Sequence, residues 1–195
     1  MILTDKKIRE LAKEEKLITP FEEENLQSES YDVTIGTELT VMKKEIRCLD
    51  ISRQKDIDDV YRHIDISKER YIISPKEYII VSLRESIKLP NNLTAHIRPK
   101  TRYTRLGLIV GNQHCNSTYA GHLRIGIFNA TDYPIRIYSG ITIAQLVFEE
   151  LDDIPSSNKL YENKWNAHYQ NESGEFRGAK FDDEYLDACW DKILE

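Results

Sequence analysis

The chain has 195 residues and a formal net charge of −6, with 40% hydrophobic and 31% charged residues. That profile fits one compact domain with a sizeable core, not a disordered or fibrous chain. The negative balance gives no general argument for nucleic acid, and the lack of a long apolar run argues against a signal peptide or a membrane span, so the expected location is cytoplasmic.

Thr4 is a plausible N-cap for "DKKIRELAKEEKLI", where Ile8, Leu11 and Ala12 fall at helical spacing and predict a short amphipathic helix. Pro20 closes that passage. "SYDVTIGTELTVM" reads as a strand marked by Val33, Ile35, Leu39 and Val41, with Gly36 as a turn or bulge. "IDDVYRHIDISKERYIIS" is charged and ambiguous, and reads as a loop or insertion. From Tyr71 the β signals crowd together in "RYIIS", "EYIIVSL", "LTAHIRP", "LGLIVGN", "HLRIGIFNA", "IRIYSG" and "ITIAQLVFEEL". Short strands punctuated by Pro, Gly or Asn predict a mainly β fold, an antiparallel barrel or sandwich. After Pro155 the chain turns polar. "DDEYLDACWDKILE" then places Tyr185, Leu186, Cys189, Trp190 and Ile193 on one helical face, with Asp182 and Asp183 at its N-terminal end.

Four clusters carry candidate chemistry. "RPKTRYTRLGL" packs Arg98, Lys100, Arg102 and Arg105 around the hydroxyl of Thr101. Such a group suits a polyphosphate, and its plain alternative is a solvated basic turn between strands. In "YAGHLRIGIFN" the apolar Leu123, Ile125 and Ile127 alternate with His122, Arg124 and Gly126, so one face is apolar. Gly126 fits either close approach of a ligand or a β-bulge. His114, Cys115 and His168 suggest a nucleophile or a metal, but adjacency in sequence does not aim side chains at one another, and a buried free cysteine is usually packing. The three widely spaced cysteines, Cys48, Cys115 and Cys189, fit a reducing compartment, and no C-x-x-C or H-E-x-x-H spacing indicates zinc. Tyr161, Trp165 and Tyr169 recur at spacing four, either to stack on a base or to pack an amphipathic turn on the barrel.

Taken together these segments resemble one family. "MILTDKKI" with "PFEEENLQSESYDVTIG", then "KTRYTRLGL", "YAGHLRIGIFN", "YSGITIAQLVFEEL" and "YENKWNAHYQNESG" are similar, in order, to dCTP deaminases of the trimeric dUTPase superfamily. The resemblance covers nearly the whole chain, less clearly from Asp50 to Arg70 and after Phe181. It implies a single domain over 1–195 with an antiparallel jelly-roll or distorted β-barrel fold and short terminal helices. It also implies a segment at 155–181 that closes over nucleotide, a helix at 182–195, and a homotrimer with sites between subunits. It implies Mg²⁺ accompanying a triphosphate (dCTP, dUTP or dTTP), and no zinc. By the same resemblance Lys100, Thr101, Arg102, Arg105, Asn116, Tyr161, His168 and Glu172 are the nucleotide-binding positions, with Tyr169 and Gly174 in the closing segment.

The resemblance also fixes where catalytic groups are expected. Gly126 falls where the deaminases carry the Glu that activates water, and Asn116 where the superfamily's hydrolases carry an Asp. No Glu occurs between Ser86 and Phe148, and the lone Asp there is Asp132. Three readings follow: a nucleotide-binding relative with altered or lost catalysis, an active deaminase or dUTP diphosphatase with a relocated base, or a regulatory or interaction protein on the same fold. For the second, Glu172, Glu175 and His114 are the sequence candidates, with Thr101 and Arg105 assisting.

Overall fold

The computed structural model describes residues 1–43, 48–173 and 176–181. Helix α1 (Asp5–Glu14) begins after Thr4, which has extended backbone but makes no side-chain cap, and it buries Ile8, Leu11 and Ala12 as their spacing requires. Strand β1 (Ile18–Thr19) leads to β2 (Tyr31–Met42), whose pairing shifts register between Ile35 and Leu39, around Gly36. The segment read as a loop or insertion is instead ordered: helix α2 (Gln54–Asp58) runs into its start and strand β3 (Tyr61–Asp65) lies within it, while strand β4 (Tyr71–Ile73) is the β signal read in "RYIIS". β3 pairs with β2 and keeps no side chain fully buried, so it lacks the alternation by which a strand is recognised.

The remaining strands are β5 (Tyr78–Lys88), β6 (Leu93–Pro99), β7 (Leu108–Val110), β8 (Gln113–Cys115), β9 (Ala120–Asn129), β10 (Ile135–Ile137) and β11 (Thr142–Glu150). Helix α3 (Thr101–Leu106) replaces the basic turn expected between β6 and β7. The main sheet runs β7-β9-β5-β2-β11-β6-β8, with β1 added to β5 and β3 to β2, while β4 and β10 pair separately. Every pairing between these strands is antiparallel. The sheet is a strongly curled half-barrel. Alternation along β5 and β9 sends Ile79, Val81, Ile125 and Ile127 into the core and leaves Tyr78, Ile80, Arg124 and Gly126 on the opposite face. That opposite face carries the candidate site.

Inside the core, Glu85 is 2% exposed and accepts hydrogen bonds from the Thr34 amide (2.8 Å) and the Thr34 hydroxyl (2.9 Å). Burial outweighs these bonds and raises its pKa above the usual 4.5. A carboxyl with a raised folded pKa holds its proton more tightly when folded. Its stabilising contribution is therefore complete below the unfolded pKa and is lost as pH rises through the folded one. Glu85→Gln keeps an acceptor for the Thr34 amide and removes the buried charge. It is expected to stabilise the protein at neutral pH relative to wild type, with the advantage shrinking as pH falls toward about 4.5. Urea melts across that range check this; a constant difference at every pH would contradict it.

Candidate functional site

The polar stretch after Pro155 folds back across the outer face of β5 and β9 and encloses a cavity of about 750 Å³, within the size range of a nucleotide site. The attachment starts with backbone. The Asn171 amide donates to the Ala120 carbonyl and the His122 amide to the Glu172 carbonyl, both at 2.8 Å. Gly121 makes the crossing possible. Its φ is +141°, and a Cβ there would lie 2.8 Å from the Glu172 carbonyl oxygen and 2.9 Å from the Glu172 nitrogen, so a side chain would collide with backbone that cannot swing aside.

Charge completes the attachment. Arg124 Nε donates to Glu172 Oε1 at 3.0 Å, with side chains 7% and 5% exposed. The Arg177 amide donates to the same oxygen at 2.9 Å, and Arg124 donates to the Ser173 carbonyl at 3.0 Å. The missed α2–β3 segment holds the far end. Gln54 donates to the Ala179 carbonyl (2.9 Å) and accepts from the Phe181 amide (2.8 Å), Tyr61 accepts from the Ala179 amide (3.2 Å), and Lys180 pairs with Asp58 (2.9 Å).

The cavity wall is aromatic and cationic. Tyr61, Tyr78, Tyr119, Tyr161 and Tyr169 line it, with Arg124, Lys164 and Arg177 as its positive groups. Of the sequence-predicted residues, the structure brings His114, Asn116, Gly126, Tyr161, Tyr169 and Glu172 to this one cavity. Gly126 sits in regular register opposite Ile80, and the register shift between β5 and β9 lies instead between Ser82 and Ser86. The bulge reading of Gly126 therefore fails. Its vacancy is filled by another side chain: a Cβ at Gly126 would lie 1.9 Å from the Tyr78 hydroxyl oxygen. A bare glycine in a strand is commonly covered by a neighbouring aromatic ring.

Other candidates are separated or already engaged. Glu172 is bound to Arg124 and to the Arg177 amide, which removes it as a free base. Glu175, Gly174 and the helix expected over 182–195 lie outside the described residues. Cys115 is buried, and burial alone raises its thiol pKa to about 12, so it is an inert core group. His114 is exposed and lies against His96, with ring centres 4.9 Å apart. His168 stands on the folded-back segment in edge contact with Tyr169, and its carbonyl accepts from Arg177 at 2.7 Å. Trp165 is 73% exposed, whereas Tyr161 and Tyr169 pack on the core, so the three aromatics do not form one face. Asp132 is exposed and pairs with Lys76 at 3.3 Å.

The basic cluster is not part of this cavity within one chain. Lys100 forms a largely buried ion pair with Asp32, whose Oδ1 has no partner among the described residues. Thr101, Arg102 and Arg105 are exposed along α3, and none of them lines the cavity. Sequence reasoning missed Tyr78, Tyr61 and Gln54. For Tyr78 a signal existed, because it shares the outward side of the "EYIIVSL" alternation with Ile80.

Comparison with known proteins agrees with this fold. Residues 2–151 match the family described as dCTP deaminase-like. The chain is 34% identical over 176 residues to "dCTP deaminase, dUMP-forming" of Persephonella marina, covering 89% of this chain and 94% of that protein. It is 35% identical over 158 residues to the protein of the same name from Hydrogenobaculum sp., covering 80% and 86%. The crystal structure of 2'-deoxycytidine 5'-triphosphate deaminase from Agrobacterium tumefaciens superposes with a TM-score of 0.63 at 22% identity, covering 76% of this chain. This chain spans about half of that one, 48% of its length, and the likeness shows the fold.

Proposed function

The chain belongs to the dCTP deaminase-like family, and from that premise we propose that it binds a deoxypyrimidine nucleoside triphosphate in the cavity beneath residues 156–181, with deamination altered or lost. The observation that carries this reading is the floor of the cavity. Gly126 offers no side chain there, and the Tyr78 hydroxyl occupies its place. A phenol and the amide of Asn116 position a water without taking its proton at neutral pH. Losing a positioned general base costs about 10²- to 10⁴-fold in rate. The remaining groups bind and orient. The tyrosines offer ring faces to a base, and Lys164 and Arg177 offer positive charge to an anion.

Magnesium in this reading arrives on the triphosphate. Among the described residues no group of three or more His, Cys, Asp or Glu side chains is placed to hold a metal. The exposed Thr101, Arg102 and Arg105 belong to the site through assembly. In a homotrimer α3 of one subunit supplies phosphate contacts to the cavity of another, and the absence of α3 residues from the lining of their own cavity supports that arrangement. Lys100, tied to Asp32, acts as a fixed charge rather than a mobile clamp. The protein works in nucleotide metabolism and in the cytoplasm.

A second reading, an active deaminase or dUTP diphosphatase with a relocated base, is favoured by His114, which lines the cavity and is exposed. One panel separates the two: dCTP, dUTP and dTTP with magnesium, read by melting temperature and by chromatography of products. A raised melting temperature without dUTP or dUMP supports binding without turnover. Arg105→Ala is expected to abolish that rise, and a rise that persists unchanged would remove α3 from the site. Sedimentation as a monomer at micromolar concentration would remove the shared-site arrangement.

A further inference from the structure

We propose that Tyr78 is the specificity-determining residue of the cavity, its hydroxyl reading a carbonyl on the edge of the bound pyrimidine, so that 4-keto nucleotides are preferred to 4-amino ones. This rests on the nucleotide reading above. Three observations support it.

The first is position. The Tyr78 ring lies across Gly126, with the hydroxyl oxygen 1.9 Å, Cζ 2.6 Å and Cε2 2.8 Å from where a Cβ would be. The hydroxyl therefore stands where a side chain of residue 126 would enter the cavity. The second is availability. Tyr78 lines the cavity and remains 46% exposed, and its hydroxyl makes no hydrogen bond to another described residue. Glycine needs only a ring to cover it, and phenylalanine would do that as well, so covering Gly126 does not account for the hydroxyl. The third is polarity. Lys164 and Arg177, the latter donating to the His168 and Gln170 carbonyls, stand on the folded-back segment, while Tyr78, Ile80 and Gly126 form an uncharged patch of the β5–β9 face beside the Arg124–Glu172 ion pair. An anionic nucleotide is drawn with its phosphates toward the first and its base toward the second.

Chemistry then decides the preference. Partial burial raises the Tyr78 pKa above 10, so the group is a neutral phenol that presents an O–H. A carboxylate at this floor would be an acceptor and would favour an amino group. A phenol O–H can both donate and accept, but its oxygen lone pair is drawn into the ring, so it donates to a 4-carbonyl more strongly than it accepts from a 4-amino group, and a site built around that one hydrogen bond discriminates by the difference.

The test is Tyr78→Phe, which keeps the ring over Gly126 and removes the hydroxyl alone. Binding of dUTP, dTTP and dCTP to wild type and variant is measured by calorimetry, with a urea melt of each protein. Wild type is expected to bind dUTP and dTTP more tightly than dCTP. Tyr78→Phe is expected to lose about 10-fold for the keto nucleotides and little for dCTP, with an unchanged melt. Equal losses for all three, or none, would overturn the inference while leaving nucleotide binding intact. A wild type that binds dCTP most tightly would also overturn it. A wild type that binds none of the three overturns the nucleotide reading and this inference with it.

Discussion

Arg124→Ala is expected to destabilise the protein by about 3–5 kcal/mol, because it strips the partner from a buried carboxylate rather than removing a surface ion pair. The Arg124 and Glu172 side chains are 7% and 5% exposed, and their contact joins β9 to the segment that closes the cavity. Alanine leaves Glu172 with the Arg177 amide as its charge-stabilising contact and opens space beneath it. The loss should fall on the attachment of residues 156–181, so proteolysis within that segment should accelerate as the urea midpoint falls. Glu172→Gln should be milder, since an amide oxygen still accepts from Arg124 and Arg177. A loss below about 1 kcal/mol for Arg124→Ala, the range of exposed pairs, would show that the closed arrangement is not held by this contact.

The second large effect concerns chemistry at residue 126. Wild-type dCTP turnover is expected to fall about 10²- to 10⁴-fold below that of a family deaminase carrying its base. Gly126→Glu does not simply place a carboxylate in the cavity. Its Cβ meets the Tyr78 hydroxyl at 1.9 Å and the ring at 2.6 and 2.8 Å, so the ring must swing out at a cost of about 1–3 kcal/mol. Gly126→Glu is thus expected to melt earlier than wild type without gaining turnover, and Tyr78→Ala in the same chain should recover most of the lost stability. Chromatographic dUTP formation and a melt of each variant check this. A single Gly126→Glu variant that melts like wild type would show that Tyr78 yields freely. Wild-type turnover near about 1 s⁻¹ would place the base elsewhere, with His114 the first residue to replace.

Much of the fold was written into local sequence. The spacing of Ile8, Leu11 and Ala12 can bury one helical face and nothing else, and α1 does so. The alternation of Leu123, Ile125 and Ile127 has period two, so the inward face of β9 was determined before any partner strand was known. The lack of an acid between Ser86 and Phe148 is likewise a fact of sequence. Tertiary structure decided what fills the space at Gly126. The strand pairing of β5 with β9 brings Tyr78 over Gly126, and no local pattern encodes a register between segments so far apart. Glu172 illustrates the same limit. As a letter it was a candidate base, and its burial against Arg124 makes it a structural anion. β3 escaped notice because an edge strand with exposed side chains does not need the apolar alternation that marks a buried one, and α3 because a basic helix of six residues has the composition of a turn. Periodicity records burial against the chain's own core. Charge pairing, the filling of a glycine's space and the closing of a cavity depend on which distant residues arrive beside one another, and that is settled when the sheet curls.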